Sequence, residues 1–94
     1  ATRDEYFAYM KSLVLQHGGL LPEASLGGRR GLVIVDFVVR DDGTIKRINV
    51  RSSSGYPDID NRVAQMVAAV GRFPPLPQWF QGPELPIEFY YSFP

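Results

Sequence analysis

From Gly31 to Val39 the chain reads GLVIVDFVV, apolar at odd and even positions alike except at Asp36. Apolar residues on both alternations are the mark of a central strand. The segment RDDGT follows, and its Asp42-Gly43 pair fits a type I′ turn, whose two central residues both need φ > 0. IKRINVR, from Ile45 to Arg51, then completes an antiparallel hairpin. Near the end of the chain LPIEFYYSF alternates cleanly. Leu85, Ile87, Phe89, Tyr91 and Phe93 point one way, while Pro86, Glu88, Tyr90 and Ser92 point the other. A strand of this kind lies against a core on one side only. The spacing predicts strands over about 31–40, 44–52 and 84–93.

Helical periodicity occupies two other stretches. Tyr6, Tyr9, Met10, Leu13 and Val14 fall at i, i+3, i+4, i+7 and i+8, one face of a helix over about 3–17. Thr2 and Glu5 form a capping box at its start, and Gly18-Gly19 closes it. His17 falls in the last turn, where the helix dipole favours an imidazolium. The second helix spans about 58–70, with Asp58 as its N-cap, Ile59, Val63, Met66, Val67 and Val70 on the buried face, and Gly71 after it. Leu20 to Arg30 reads as a loop, and Ser52 to Pro57 as a turn.

One stretch invites a functional reading. RFPPLPQWF, Arg72 to Phe80, crowds three prolines and three aromatics together. A proline-rich ligand for a partner sits more often in a disordered tail. This one joins a helix that needs covering to a strand that needs placing. It reads as a stiff connector anchored by Phe73, Trp79 and Phe80.

The order helix, strand, strand, helix, strand predicts an α+β fold. Its small antiparallel/mixed sheet has three strands in the order 2-1-3 and is covered on one face by two helices, all in a single domain over residues 1–94. The third strand then carries an open row of backbone donors and acceptors. Pro86 and Glu88 guard its start, whereas Phe89, Tyr90 and Tyr91 do not. Such an edge suits strand addition by an extended peptide. A proline at Phe89 or Tyr90 would block it, provided that the lost N–H faces the partner.

Composition removes several other functions. The 94 residues carry ten basic and ten acidic side chains, poor material for nucleic-acid binding. There is no cysteine, hence no thiolate nucleophile, disulfide or zinc-thiolate site. The only histidine leaves a serine nucleophile without a convincing base. Gly27-Gly28-Arg29-Arg30-Gly31 lacks the Lys-Ser/Thr and the preceding strand of a phosphate loop, and the turn aspartates lack the spacing of a calcium loop. No cofactor, no metal and no enzymatic activity are expected.

GLVIVDFVVRDDGTIKRINVRSSSGYPDID, followed by RFPPLP and the final LPIEFYYSF, resembles the C-terminal domain of TonB-family energy transducers. The pattern is a Gly-led strand, an Asp-Gly turn, Ser-Ser-Gly after strand two, an Asp opening the helix, and Phe-Pro-Pro-x-Pro beyond it, together covering about residues 20–94. The resemblance implies a periplasmic domain of a protein anchored in the inner membrane of a Gram-negative bacterium by a helix outside this sequence. It implies pairing of the third strand with the TonB box of outer-membrane receptors. Inner-membrane proton-driven motor proteins would then power uptake of siderophore-iron, haem or cobalamin. The contact falls at Leu85, Pro86, Ile87, Glu88, Phe89, Tyr90, Tyr91 and Ser92, with Leu21 and Pro22 beside them. Leu21-Pro22 departs from the family's Tyr-Pro, and SLGGRR matches only loosely. TolA-type cell-envelope assembly domains share the architecture, but the Phe-Pro-Pro block and Ser-Ser-Gly favour the TonB type. The same edge would also serve a strand-exchanged homodimer.

Overall fold

The computed structural model describes residues 3–18, 21–77, 80 and 82–93. The Thr2 half of the capping box, Gly19, Trp79 and the His17 side chain lie outside what is described. Three strands pair in the order β2-β1-β3. β1 (Gly31–Arg40) stands between β2 (Ile45–Ser52) and β3 (Glu84–Phe93) and is antiparallel to both. The α+β sheet in order 2-1-3 is therefore as the pattern predicted.

β1 is central because both its alternations are apolar, but they are not equally covered. Val33, Val35, Phe37 and Val39 are 0–2% exposed and meet Leu85, Phe89, Tyr91 and Phe93 in one core. That face is roofed by α1 (Arg3–Gly18) through Tyr6, Met10 and Val14, and by α3 (Pro57–Ala68) through Ile59, Val63, Met66 and Val67. The opposite face leaves Leu32 42% and Tyr90 50% exposed.

Four local expectations change. Tyr9 is 52% exposed, and Phe7 is partly buried in its place. The buried stripe of α1 runs through Tyr6, Met10 and Val14, with Phe7, Leu13 and Leu15 partly covered beside it. The segment read as a loop contains a short helix, α2 (Glu23–Leu26), which drops Leu26 into the core. The N-cap of α3 is Tyr56 rather than Asp58, because Pro57 takes the first helical position that suits its fixed φ. Asp58 instead pairs with Arg29 through two hydrogen bonds of 2.9 and 3.0 Å. Arg29 also donates from Nε to the Leu26 carbonyl and lies 5.0 Å from the centre of the Tyr56 ring. The Gly-Arg cluster thus ties α2 to the start of α3.

The hairpin turn is the fourth. Among the described residues only glycines have positive φ, so Asp42 does not and the turn is not type I′. The Gly43 amide donates to the Arg40 carbonyl, and the Arg40 amide to the Thr44 carbonyl. This is a three-residue loop with Gly43, at φ 93°, in the left-handed position. Asp42 supports it by accepting from the Thr44 amide and hydroxyl at 2.9 and 2.6 Å.

The proline-rich connector docks on this turn. The Phe73 amide donates to the Gly43 carbonyl at 2.8 Å and the Leu76 amide to the Asp41 carbonyl at 3.0 Å. The Phe73 ring is 1% exposed and stacks on Phe37 with centroids 5.4 Å apart. Tyr6 donates its hydroxyl to the Pro74 carbonyl at 3.4 Å, fastening α1 to the same place.

The Ser-Ser-Gly segment also acquires a physical role. Asp60, 7% exposed, accepts from the Ser53 hydroxyl, from the Ser54 amide at 3.0 Å and from the Ser54 hydroxyl at 2.7 Å. Burial pushes the Asp60 pKa up, but the hydrogen bonds from Ser53 and Ser54 outweigh it and hold the carboxyl below its ordinary value. A carboxyl whose pKa is lowered by folding stabilises the fold above the unfolded value of about 3.9 and loses that contribution as pH falls through the folded value. Thermal melts should therefore show Asp60→Asn less stable than the native chain near neutrality. The gap should narrow as pH is lowered below about 3.9. A gap that stays constant with pH would assign the network no charged component.

Candidate partner-binding edge

Among the described residues β3 is bonded on one side only. Which of its main-chain groups are spent follows from the turn. Arg40 exchanges its hydrogen bonds with Gly43 and Thr44, on the β2 side, whereas the Asp41 amide donates to the Pro83 carbonyl at 3.1 Å, on the β3 side. Main-chain direction alternates along a strand. Val39, Phe37, Val35 and Val33 therefore bond across to Leu85, Ile87, Phe89 and Tyr91. Glu88, Tyr90 and Ser92 turn their N–H and C=O groups outward, away from the sheet. Pro86 belongs to the same outward set, where its missing N–H removes no ladder bond.

Side chains follow the same alternation. Leu85, Phe89 and Tyr91 are buried and Ile87 is half-buried on the helix-covered face. Pro86, Glu88, Tyr90 and Ser92 are exposed on the open face. Glu88 stands directly across from Asp36. Two adjacent carboxylates repel, and Arg51 of β2 resolves this by pairing with both, at 3.8 Å to Asp36 and in close contact with Glu88. The interruption in the apolar strand is thus one member of a charged ladder spanning all three strands. Tyr90 extends its hydroxyl to Glu88 at 3.5 Å. Leu21 and Pro22, distant in sequence, come to the far end of the strand, where the Leu21 amide donates to the Tyr91 hydroxyl at 3.1 Å.

A groove of about 1080 Å³ takes in this edge and extends over the open face of the sheet to Val38 of β1 and Arg47 and Asn49 of β2. Its walls include Phe7, Ala8, Lys11 and Leu15 of α1, Ile87 and Phe89 from the covered face, and Glu88, Tyr90 and Arg51 from the open face. Residues from both faces of β3 line one groove, so the groove passes over the free edge itself. The sequence alone offered no signal for the α1 wall, because Phe7 and Leu15 lie outside the helical stripe that its periodicity picks out. Among the described residues no three His, Asp or Glu side chains gather to hold a metal ion.

A family model described as the Gram-negative bacterial TonB protein C-terminal matches residues 22–93. The chain belongs to the TonB C-terminal domain family. TonB C-terminal domains are non-enzymatic domains of energy transduction and protein interaction. Among solved structures, the fold is similar to the Helicobacter pylori TonB C-terminal domain determined by NMR. The longer form of that domain shares 15% identity, with 99% of this chain and 83% of that one covered at a TM-score of 0.77. A shorter form gives 17% identity, coverage of 95% and 92%, and a TM-score of 0.67. The HasB C-terminal domain gives 19% identity, coverage of 99% and 72%, and a TM-score of 0.63. At these identities the likeness is one of fold. No curated protein sequence matches the chain. Helix α1 precedes the residues that the family model matches. Among the described residues no helix is long and apolar enough to cross a membrane.

Proposed function

We propose that this TonB C-terminal domain works in the periplasm and captures the TonB box of outer-membrane receptors as a fourth strand on β3. The observation that carries the reading is the outward row of main-chain groups at Pro86, Glu88, Tyr90 and Ser92, beside a groove. An extended segment laid there gains backbone hydrogen bonds without any change in the fold, as in other cases of strand addition. Leu85, Ile87, Phe89 and Tyr91 hold the receiving strand to the core, and Leu21 and Pro22 stand at its end. The rest of the protein would anchor the domain in the inner membrane and join it to proton-driven motor proteins. Force delivered through the paired segment would then open receptors for siderophore-iron, haem or cobalamin.

The test is a titration of the ¹⁵N-labelled domain with synthetic receptor-box peptides, followed by amide shifts. The expected result is large shifts confined to Leu85–Ser92 and the Leu21–Pro22 corner. A folded domain whose spectrum ignores boxes from several receptors would refute strand addition. Shifts gathered on β2 would do the same.

A further inference from the structure

The groove beside β3 has two unlike sides, and that difference bears on which segments it can accept. Successive residues of an added strand point alternately to the two faces of the sheet. Those opposite Glu88 and Tyr90 share the open, polar face with these residues and with Arg51. The intervening residues point to the covered face, into the space between α1 and β3. There they meet Phe7 and Leu15 of α1 and Ile87 and Phe89 of β3. All four are apolar, and Phe7, Leu15 and Ile87 are only partly buried by the domain itself.

We infer that α1 is a selectivity wall, and that the segment taken up on β3 must alternate, with an apolar side chain at every second position turned towards α1. The inference rests on strand addition to β3 and goes beyond it: edge hydrogen bonds are blind to side chains, whereas this wall is not. A polar side chain turned to Phe7 and Leu15 would lose water against apolar groups and could recover a hydrogen bond only by reaching Lys11 between them, or Asp4 and Ser12 on the same helix. An apolar one would remove surface from water on both components. The alternation of the partner therefore mirrors that of β3 itself. The wall is contributed by a helix that lies ahead of the family-matched residues 22–93.

Two eight-residue peptides separate side-chain reading from edge pairing. One alternates valine and threonine; the other is threonine throughout. Valine and threonine have nearly the same shape and both favour extended backbone, so the two peptides offer the same hydrogen bonds to the edge. The full 94-residue domain should bind the alternating peptide at least about tenfold more tightly, with amide shifts on α1 around Phe7–Leu15 as well as on β3. The Ala8→Glu variant provides the second reading. Ala8 is exposed and lines the groove without contributing to the core, so the fold is retained. In this variant the advantage of the alternating peptide should shrink several-fold. Equal affinities with shifts on β3 alone would overturn the selectivity wall while leaving strand addition intact. If neither these peptides nor receptor-box peptides move β3, strand addition falls, and this inference falls with it.

Discussion

Tyr90→Pro is expected to abolish capture of a receptor segment in a domain that remains folded, whereas Phe89→Pro, one position away, is expected to unfold it. Both prolines remove one backbone N–H. The Tyr90 N–H points outward from the edge, so its loss costs the sheet no hydrogen bond. Its side chain is half exposed on the open face, and the residue before it is already extended, as proline demands. The incoming strand loses one hydrogen bond of about 1 kcal/mol and also meets a pyrrolidine ring where the N–H stood. Affinity should fall by more than about tenfold. Phe89 instead bonds across to Val35 in the middle of the ladder and buries its ring to 3% exposure. Removing a buried phenyl group alone costs about 3–5 kcal/mol, a large share of the about 5–15 kcal/mol that stabilises a whole domain. Circular dichroism reads the folding of the two variants and calorimetric titration reads the binding. Retained binding by a folded Tyr90→Pro domain would remove β3 as the receiving edge.

The second large effect belongs to Gly43. A Cβ built there would stand 1.9 Å from the Phe73 carbonyl oxygen and 2.9 Å from its carbon, and both are backbone atoms. No rotamer change can relieve that overlap, so the connector has to lift off the hairpin. It would lose the Phe73–Gly43 hydrogen bond and loosen the buried Phe73 ring, besides forcing a side chain into positive φ. Gly43→Ala should therefore cost more than about 4 kcal/mol in denaturant unfolding. Gly55→Ala separates the two causes. Gly55 has nearly the same φ, 92°, but nothing within 4 Å of an added Cβ, so only the backbone strain of about 1 kcal/mol applies. Similar losses at the two glycines would mean that the connector does not need close contact with the turn.

Much of this molecule was legible in its periodicities because each strand has a different relation to water. β1 is apolar on both alternations and lies in the middle; β3 is apolar on one and lies at the edge. That was enough for the strand order, and the edge followed from it. The details that changed depend on neighbours which a local pattern does not contain. Tyr9 falls with Tyr6 and Met10 in the helical stripe that the periodicity picks out, and only the packing of α1 on the rest of the core leaves it exposed and partly covers Phe7 instead. Asp42-Gly43 satisfies two kinds of hairpin turn, and the longer one leaves Gly43 where Phe73 can cross it. Asp58 has the chemistry of an N-cap, but Pro57 had already claimed the first turn. Asp36 looked like a blemish in an apolar strand until the register put Glu88 beside it and Arg51 over both. The outward direction of the Tyr90 N–H is likewise a matter of register. It distinguishes Tyr90 from Phe89 as a site for proline, a choice that the alternation of side chains left open.

The two ladders of the sheet also differ in regularity. β1 and β3 pair residue for residue from Gly31↔Phe93 to Arg40↔Glu84, whereas the β1–β2 ladder shifts between Ile34 and Val35 and again between Val38 and Val39. Under tension an unbroken ladder loaded along its length shares the load over all its bonds at once, and an interrupted one concentrates it at its breaks. β1 and β3 therefore form the stiff half of the sheet, and β2 the half that yields. The strand proposed to receive the partner is riveted to the stiff half.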